Sequence, residues 1–195
     1  MDGFFYSLVR VHMINLSLPS PLDYEFAFDL MKENMKKYYD FYGISWDHEW
    51  LRKNYLSKEN YIIAKLNKKI GFLSVEKTPN ELYVHTIQVC PAFQNQRIGL
   101  YTLRALTEIM LSFSLKNIVC RVFKDSPVLA MYERLGFERV SHENFLITLR
   151  YDMSENDCGN EVVRTLNPAL KRTRKNRAPL SSLAIWRLDD HSSVQ

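Results

Sequence analysis

Apolar and polar positions alternate along "VRVHMINLSL" (9–18), and Pro19 and Pro21 stop the run, so the pattern predicts a first strand. The period then lengthens. Phe26, Leu30, Met31 and Met35 recur at helical spacing, predicting a helix from a capping Asp23 to about Tyr39. Gly43 breaks it, and a second helix is expected from a cap near Ser45 or Asp47. "YIIAKL" (61–66) and "KIGFLSVEK" (69–77) read as strands around a turn at Asn67-Lys68. "NELYVHTIQV" (80–89) reads as a third, ending before Pro91. From Gly99 to about Phe113, a helix turns Leu100, Leu103, Leu106, Thr107, Met110 and Leu111 inward. "KNIVCRVF" (116–123) is apolar enough for a strand buried on both faces where the sheet is parallel. "SPVLAMYERLGF" follows as a short helix, with Pro127 in its first turn and Gly136 at a left-handed C-cap. "FERVSHENFLITLRYDM" closes the pattern as a hairpin.

Helices and strands alternate, so the chain reads as an α/β (α+β) domain over 11–153, behind an N-terminal extension at 1–10. From Ser154 the periodicity fails. The segment 154–195 is expected to be a mostly disordered tail, and its run "KRTRKNR" holds Lys171, Arg172, Arg174, Lys175 and Arg177 with no acid. Such a run can touch nucleic acid or act as a localisation signal, but a solvated tail is the commoner reading, so nucleic acid is not the expected partner. Hydrophobic residues make up 46% of the chain, enough for a sizeable core. No apolar stretch reaches the roughly 18 residues of a membrane span, and the N-terminus lacks the basic region and cleavage site of a signal peptide. Cys90, Cys120 and Cys158 are few and far apart. They support neither a disulfide scaffold nor a metal site, and a cytoplasmic setting is expected.

Chemistry gathers in "QVCPAFQNQRIGLYTLRAL" (88–106), where a strand ends, a polar loop follows and a helix begins. A helix N-terminus offers unpaired N–H groups and a partial positive charge, which suits a pyrophosphate. The loop Gln94-Asn95-Gln96-Arg97-Ile98-Gly99 resembles the Q/R-x-x-G-x-G/A cofactor loop of the GNAT superfamily of N-acetyltransferases. "DSPVLAMYERLGF" (125–137) resembles that superfamily's second signature, N-x-x-A-x-x-L-Y-E-x-x-G-F. The spacing of the two segments and the strand between them also fit, and the resemblance covers roughly 11–153.

The resemblance implies a mixed sheet whose middle strands splay apart, flanked by about four helices. It implies acetyl-CoA as co-substrate, with Gln94, Asn95, Gln96, Arg97, Ile98, Gly99 and Leu100 wrapping its diphosphate. The backbone of Ile87 and Val89 would bond the pantetheine arm, and Asp125 would help position the coenzyme or cap a helix. Arg97 stands where glycine is usual. It would strain the loop if a positive φ is required, or lay a guanidinium beside the phosphates. Tyr132 occupies the position of the family's acid, which protonates the departing sulfur. His85 is the first candidate base, four residues before Val89 where many relatives carry Glu; Tyr83 and Glu76 are alternatives. Tyr38, Tyr39, Tyr42, Trp46 and Trp50 would line an acceptor pocket or fill core and rim. The implied reaction is acetyl transfer to a primary amine of a small molecule or a protein. The alternative is a binding module that keeps the fold with weakened cofactor use. Dimers are common in the family, and no feature here demands one.

Overall fold

The computed structural model describes residues 10–11 and 14–153. The expectations for 1–9 and 154–195, including Cys158 and the basic run, lie outside the described residues. The elements are strands β1 (Arg10–Val11) and β2 (Ile14–Ser17), helices α1 (Asp23–Tyr42) and α2 (His48–Ser57), and strands β3 (Glu59–Lys65), β4 (Lys68–Lys77) and β5 (Glu81–Val89). Helix α3 (Ile98–Ser112), strand β6 (Asn117–Phe123), helix α4 (Leu129–Arg134) and strands β7 (Glu138–Glu143) and β8 (Leu146–Asp152) complete the described chain. They form one sheet in the order β1-β2-β3-β4-β5-β6-β8-β7. β5 and β6 run parallel, and every other neighbouring pair is antiparallel.

Several boundaries move for physical reasons. The single strand expected over 9–18 folds back on itself, with Arg10 opposite Asn15 and Val11 opposite Ile14. Asp23 does not cap α1 from outside. It begins the helix, and its carboxylate accepts from the Ser20 N–H at 2.7 Å and the Ser20 hydroxyl at 2.8 Å, while its own N–H donates to the Ser20 carbonyl at 3.0 Å and closes a turn over "SPLD". α1 runs on to Tyr42 before the left-handed Gly43. Asp47, rather than Ser45, caps α2 by accepting from the Trp50 N–H at 2.8 Å. The β3–β4 turn is centred on Leu66 and Asn67, both left-handed, so Lys68 already belongs to β4. On α3 the expected inner face holds except at Leu111, which is 42% exposed.

The sheet divides the core. On one face α3 and α4 pack over Leu73, Val75, Leu82, Val84, Ile87 and Val89. On the other, α1 and α2 pack their aromatic and aliphatic stripe over Ile62, Phe72, Phe123 and Leu146.

Candidate active site

The parallel ladder between β5 and β6 is short. It runs from Glu81–Asn117 to Val84–Cys120 and stops, while both strands continue. The cause is visible on the other edge of β5. Ser74 of β4 faces Thr86, but Val75 faces Val84, so His85 is an extra residue bulged out of the ladder. A bulge bends its strand and increases its twist. This one falls one residue after the last β5–β6 pair, and the strands part there. The Cys90 N–H bonds the Ile70 carbonyl at 2.8 Å, so by two-residue alternation Ile87 and Val89 turn their own N–H and C=O groups away from β4 and into the opening. Their side chains are buried in the α3 core.

The Val89 carbonyl is already engaged in a way the sequence did not suggest. It accepts from the Asn34 amide at 3.1 Å and from the Gln94 amide at 3.0 Å. Asn34 also donates to the Gln88 side chain at 3.0 Å and accepts from Gln94 at 3.1 Å.

The opening separates two candidate proton carriers. Glu76 lies opposite Tyr83 in register and so shares its face, the one turned toward α1. His85 Nε2 lies 3.0 Å from Glu76 Oε2, and its ring centroid is 4.8 Å from that of Tyr83. Lys58 donates to the same Glu76 oxygen at 2.8 Å. The three sequence candidates for the base therefore form one cluster, with Lys58 as a member that sequence reasoning missed. The Lys58 hydrogen bond holds the Glu76 carboxyl below its usual range against a partial burial that pushes the other way, and His85 adds to the lowering. Glu76 is 41% exposed at its side chain and joins the buried His85 to solvent.

Tyr132 sits on the opposite face, within the α3–α4 core, and is fully buried. Burial pushes its phenol well above the ordinary value, and the adjacent Cys120 thiol adds to this. Its hydroxyl rests beside that thiol without reaching hydrogen-bond geometry, so among the described residues it has no partner. Cys120 itself is pushed up to about 12 by burial and is no competing nucleophile.

The motif "YERLGF" explains why the phenol is fixed. The Gly136 N–H bonds the Glu133 carbonyl at 3.0 Å, and the Phe137 N–H bonds the Tyr132 carbonyl at 3.1 Å. With Gly136 at a φ of 91°, this is a Schellman motif. Phe137 then packs edge-on against the Tyr132 ring at 4.8 Å, the apolar contact that accompanies such caps.

The loop from Gln94 to Leu100 links β5 to α3. Asn95 has a φ of 61° and Arg97 a φ of 63°, so the position where the family usually has glycine is left-handed here too. Each non-glycine residue in that region costs roughly 1–2 kcal/mol. Arg97 is the N-cap residue of α3, and the first helical bond runs from the Tyr101 N–H to its carbonyl at 3.0 Å. No side chain caps the Ile98, Gly99 and Leu100 N–H groups, and the first turn has no acid. Positive charge gathers nearby: Lys65 donates to Gln96 at 3.4 Å, and Lys68 lies over the Phe93 ring at 5.3 Å. An open pocket of about 410 Å³ lies between α1 and this loop, lined by Asn34, Pro91 and Gln94 and by the mixed charges of Glu33, Lys36, Lys37 and Asp40.

Asp125 is not a helix cap, because α4 begins four residues later, behind Val128. Its carboxylate instead accepts from the Tyr42 hydroxyl of α1. Burial and that carboxylate push Tyr42 up to about 12. The α1 aromatics are core and rim more than pocket. Tyr38 and Tyr42 stack on Phe123, and Tyr39 stacks on Trp46 at 4.0 Å.

The absent ligand can be tested against these residues. An uncapped helix N-terminus suits a diphosphate, the open edge of β5 suits an amide-bearing arm, and a buried hydroxyl suits a group that takes up a proton. Coenzyme A fits.

Comparison with known proteins agrees with this class. The model of the acetyltransferase (GNAT) family matches residues 27–137. The chain belongs to that family. Solved structures share the fold. A GNAT family acetyltransferase from Elizabethkingia anophelis, with acetyl-CoA bound, aligns at a TM-score of 0.57 and 19% identity over 73% of this chain and 100% of its own. The ribosomal-protein-S18-alanine N-acetyltransferase of Escherichia coli aligns at 0.60 and 18%, covering 73% and 95%. The Campylobacter jejuni N-acetyltransferase PseH, in complex with acetyl coenzyme A, aligns at 0.54 and 17%, covering 73% and 100%. The comparison with curated proteins gives no match.

Proposed function

We propose that this protein is an acetyl-CoA-dependent N-acetyltransferase acting on a primary amine of a small molecule or a protein. The observation that carries the reading is the opening in the sheet, with the His85–Glu76 pair on one face and the unpartnered Tyr132 hydroxyl on the other. Acetyl-CoA would supply an activated acetyl thioester. Arg97 and the N–H groups of Ile98, Gly99 and Leu100 would hold its diphosphate, and the edge of β5 at Ile87 and Val89 would hold its arm.

A lysine-like amine has a pKa near 10.4, so losing its proton at pH 7 costs roughly 4–5 kcal/mol. His85 takes that proton, and Glu76 favours the resulting imidazolium and leads toward solvent. The amine nitrogen then bonds the acetyl carbon while the carbon–sulfur bond breaks, and the nitrogen gives its second proton to His85 once the first has passed through Glu76 to solvent. Tyr132 holds a proton at Oη and gives it to the departing sulfur.

Calorimetric titration with acetyl-CoA, then with free CoA, followed by thiol-release assays over a panel of amines, tests the reading. Micromolar binding with amine-dependent thiol release supports it. Binding without turnover favours the binding module, and no binding at millimolar ligand removes the coenzyme altogether.

A further inference from the structure

We propose that Asn34 is a positioning residue of the transfer site, through which α1 holds the cofactor loop in place against the splayed end of β5. The inference rests on the coenzyme A reading above. Asn34 is 5% exposed and lies mid-helix on the buried stripe of Leu30, Met31, Met35 and Tyr38. A leucine there would pack without burying a polar group, so an amide is favoured only by the bonds it makes. Both of its N–H donors are used, on Gln88 Oε1 and the Val89 carbonyl, and its oxygen accepts from Gln94.

Gln94 is the residue just before the two left-handed positions, Asn95 and Arg97. A loop that carries such strain keeps one shape only if its surroundings over-determine it. Gln94 supplies that anchor by donating to both Asn34 and the Val89 carbonyl. The amide chain then continues: the Gln88 side chain donates to Thr86 Oγ1 at 2.8 Å, one residue from His85. One helix residue thus ties the loop that would bind phosphate to the strand that carries the base.

The test uses Asn34→Leu, Gln94→Met and the double variant. Amide hydrogen exchange over 94–100 is followed in the free protein, and acetyl-CoA affinity is measured by calorimetry. Each single variant is expected to speed exchange in 94–100 and to weaken acetyl-CoA about five- to tenfold, the scale of one lost hydrogen bond. The double variant is expected to lose no more than the worse single one, because both act through one amide network around the Val89 carbonyl. Additive losses, or a lowered melting temperature with exchange at 94–100 and affinity both within twofold of wild type, would overturn the role. Should Asn34→Leu fail to fold, an unchanged Gln94→Met overturns it equally. Wild-type protein that does not bind acetyl-CoA overturns the coenzyme reading and this role with it; wild-type binding with unaffected variants overturns this role alone.

Discussion

The Tyr132 hydroxyl sets function against stability within one side chain. A buried hydroxyl without a partner costs folding roughly 1–3 kcal/mol, so Tyr132→Phe should raise the melting temperature of the free protein. The same change should slow amine-dependent thiol release by about a hundredfold while leaving acetyl-CoA affinity nearly unchanged. An unaltered rate removes Tyr132 from the acid role. Arg97→Gly should likewise stabilise the free protein by about 1 kcal/mol in urea unfolding, because the φ of 63° suits glycine. It should weaken acetyl-CoA and flatten the salt dependence of binding, since a charge beside the phosphates is lost. His85→Ala should shift the pH–rate profile; an unchanged profile dismisses His85 as the base. Tyr132 and His85 were candidates already in the sequence, one from its place in the motif and one from its place four residues before Val89, and the substitutions above test their roles. Asn34 and Lys58 were not, because their roles exist only where α1 meets β5 and where α2 meets β4. A signal for Asn34 was present nonetheless, as a lone amide inside an apolar stripe at helical spacing.

Elements whose signals are local matched their expected positions closely. The "YERLGF" cap, the Asp47 cap and the strands β3 to β6 depend on periodicity and turn chemistry within a few residues. The β1–β2 hairpin and the bulge at His85 depend on what the neighbouring strand does, which one segment's pattern does not encode. The C-cap of α4 carries its own prediction. Gly136→Ala adds a Cβ at ordinary contact distance, 3.5 Å from the Tyr151 ring, so the penalty is the backbone's alone. It should cost about 1 kcal/mol by thermal unfolding and lower turnover by tilting Tyr132. Gly71→Ala is different in kind. Its Cβ would lie 2.2 Å from the Gln88 carbonyl oxygen, so β4 and β5 must separate beside the site. The start of α1 has a pH signature. Burial pushes the Asp23 carboxyl up, but Lys69 and Ser20 overcome this and its net shift is downward. Its stabilising contribution is therefore present above the ordinary carboxylate range and lost as pH falls through the depressed value. In urea unfolding, the gap between wild type and Asp23→Asn should be wide at neutral pH and close as the pH falls below the ordinary carboxylate range.

At the scale of the molecule, two cores share one sheet, and the site lies where that sheet is incomplete. A ligand bound only to the folded state stabilises it by about 2.7 kcal/mol at a hundred times its dissociation constant. Saturating acetyl-CoA should therefore raise the melting temperature by roughly 5–10 °C, and an unmoved transition would contradict the coenzyme reading. The four residue pairs joining β5 to β6 also act as the spine of a book. One leaf carries β1 to β5 and the other carries β6 to β8, with α3 as the strap between them. Beyond the spine the pages part, and the margin on the β5 side turns the Ile87 and Val89 backbone into the gap, with the Val89 carbonyl already held by Asn34 and Gln94. A molecule lodged between those margins would bind both pages at once, so the protein would be two leaves when empty and one volume when loaded.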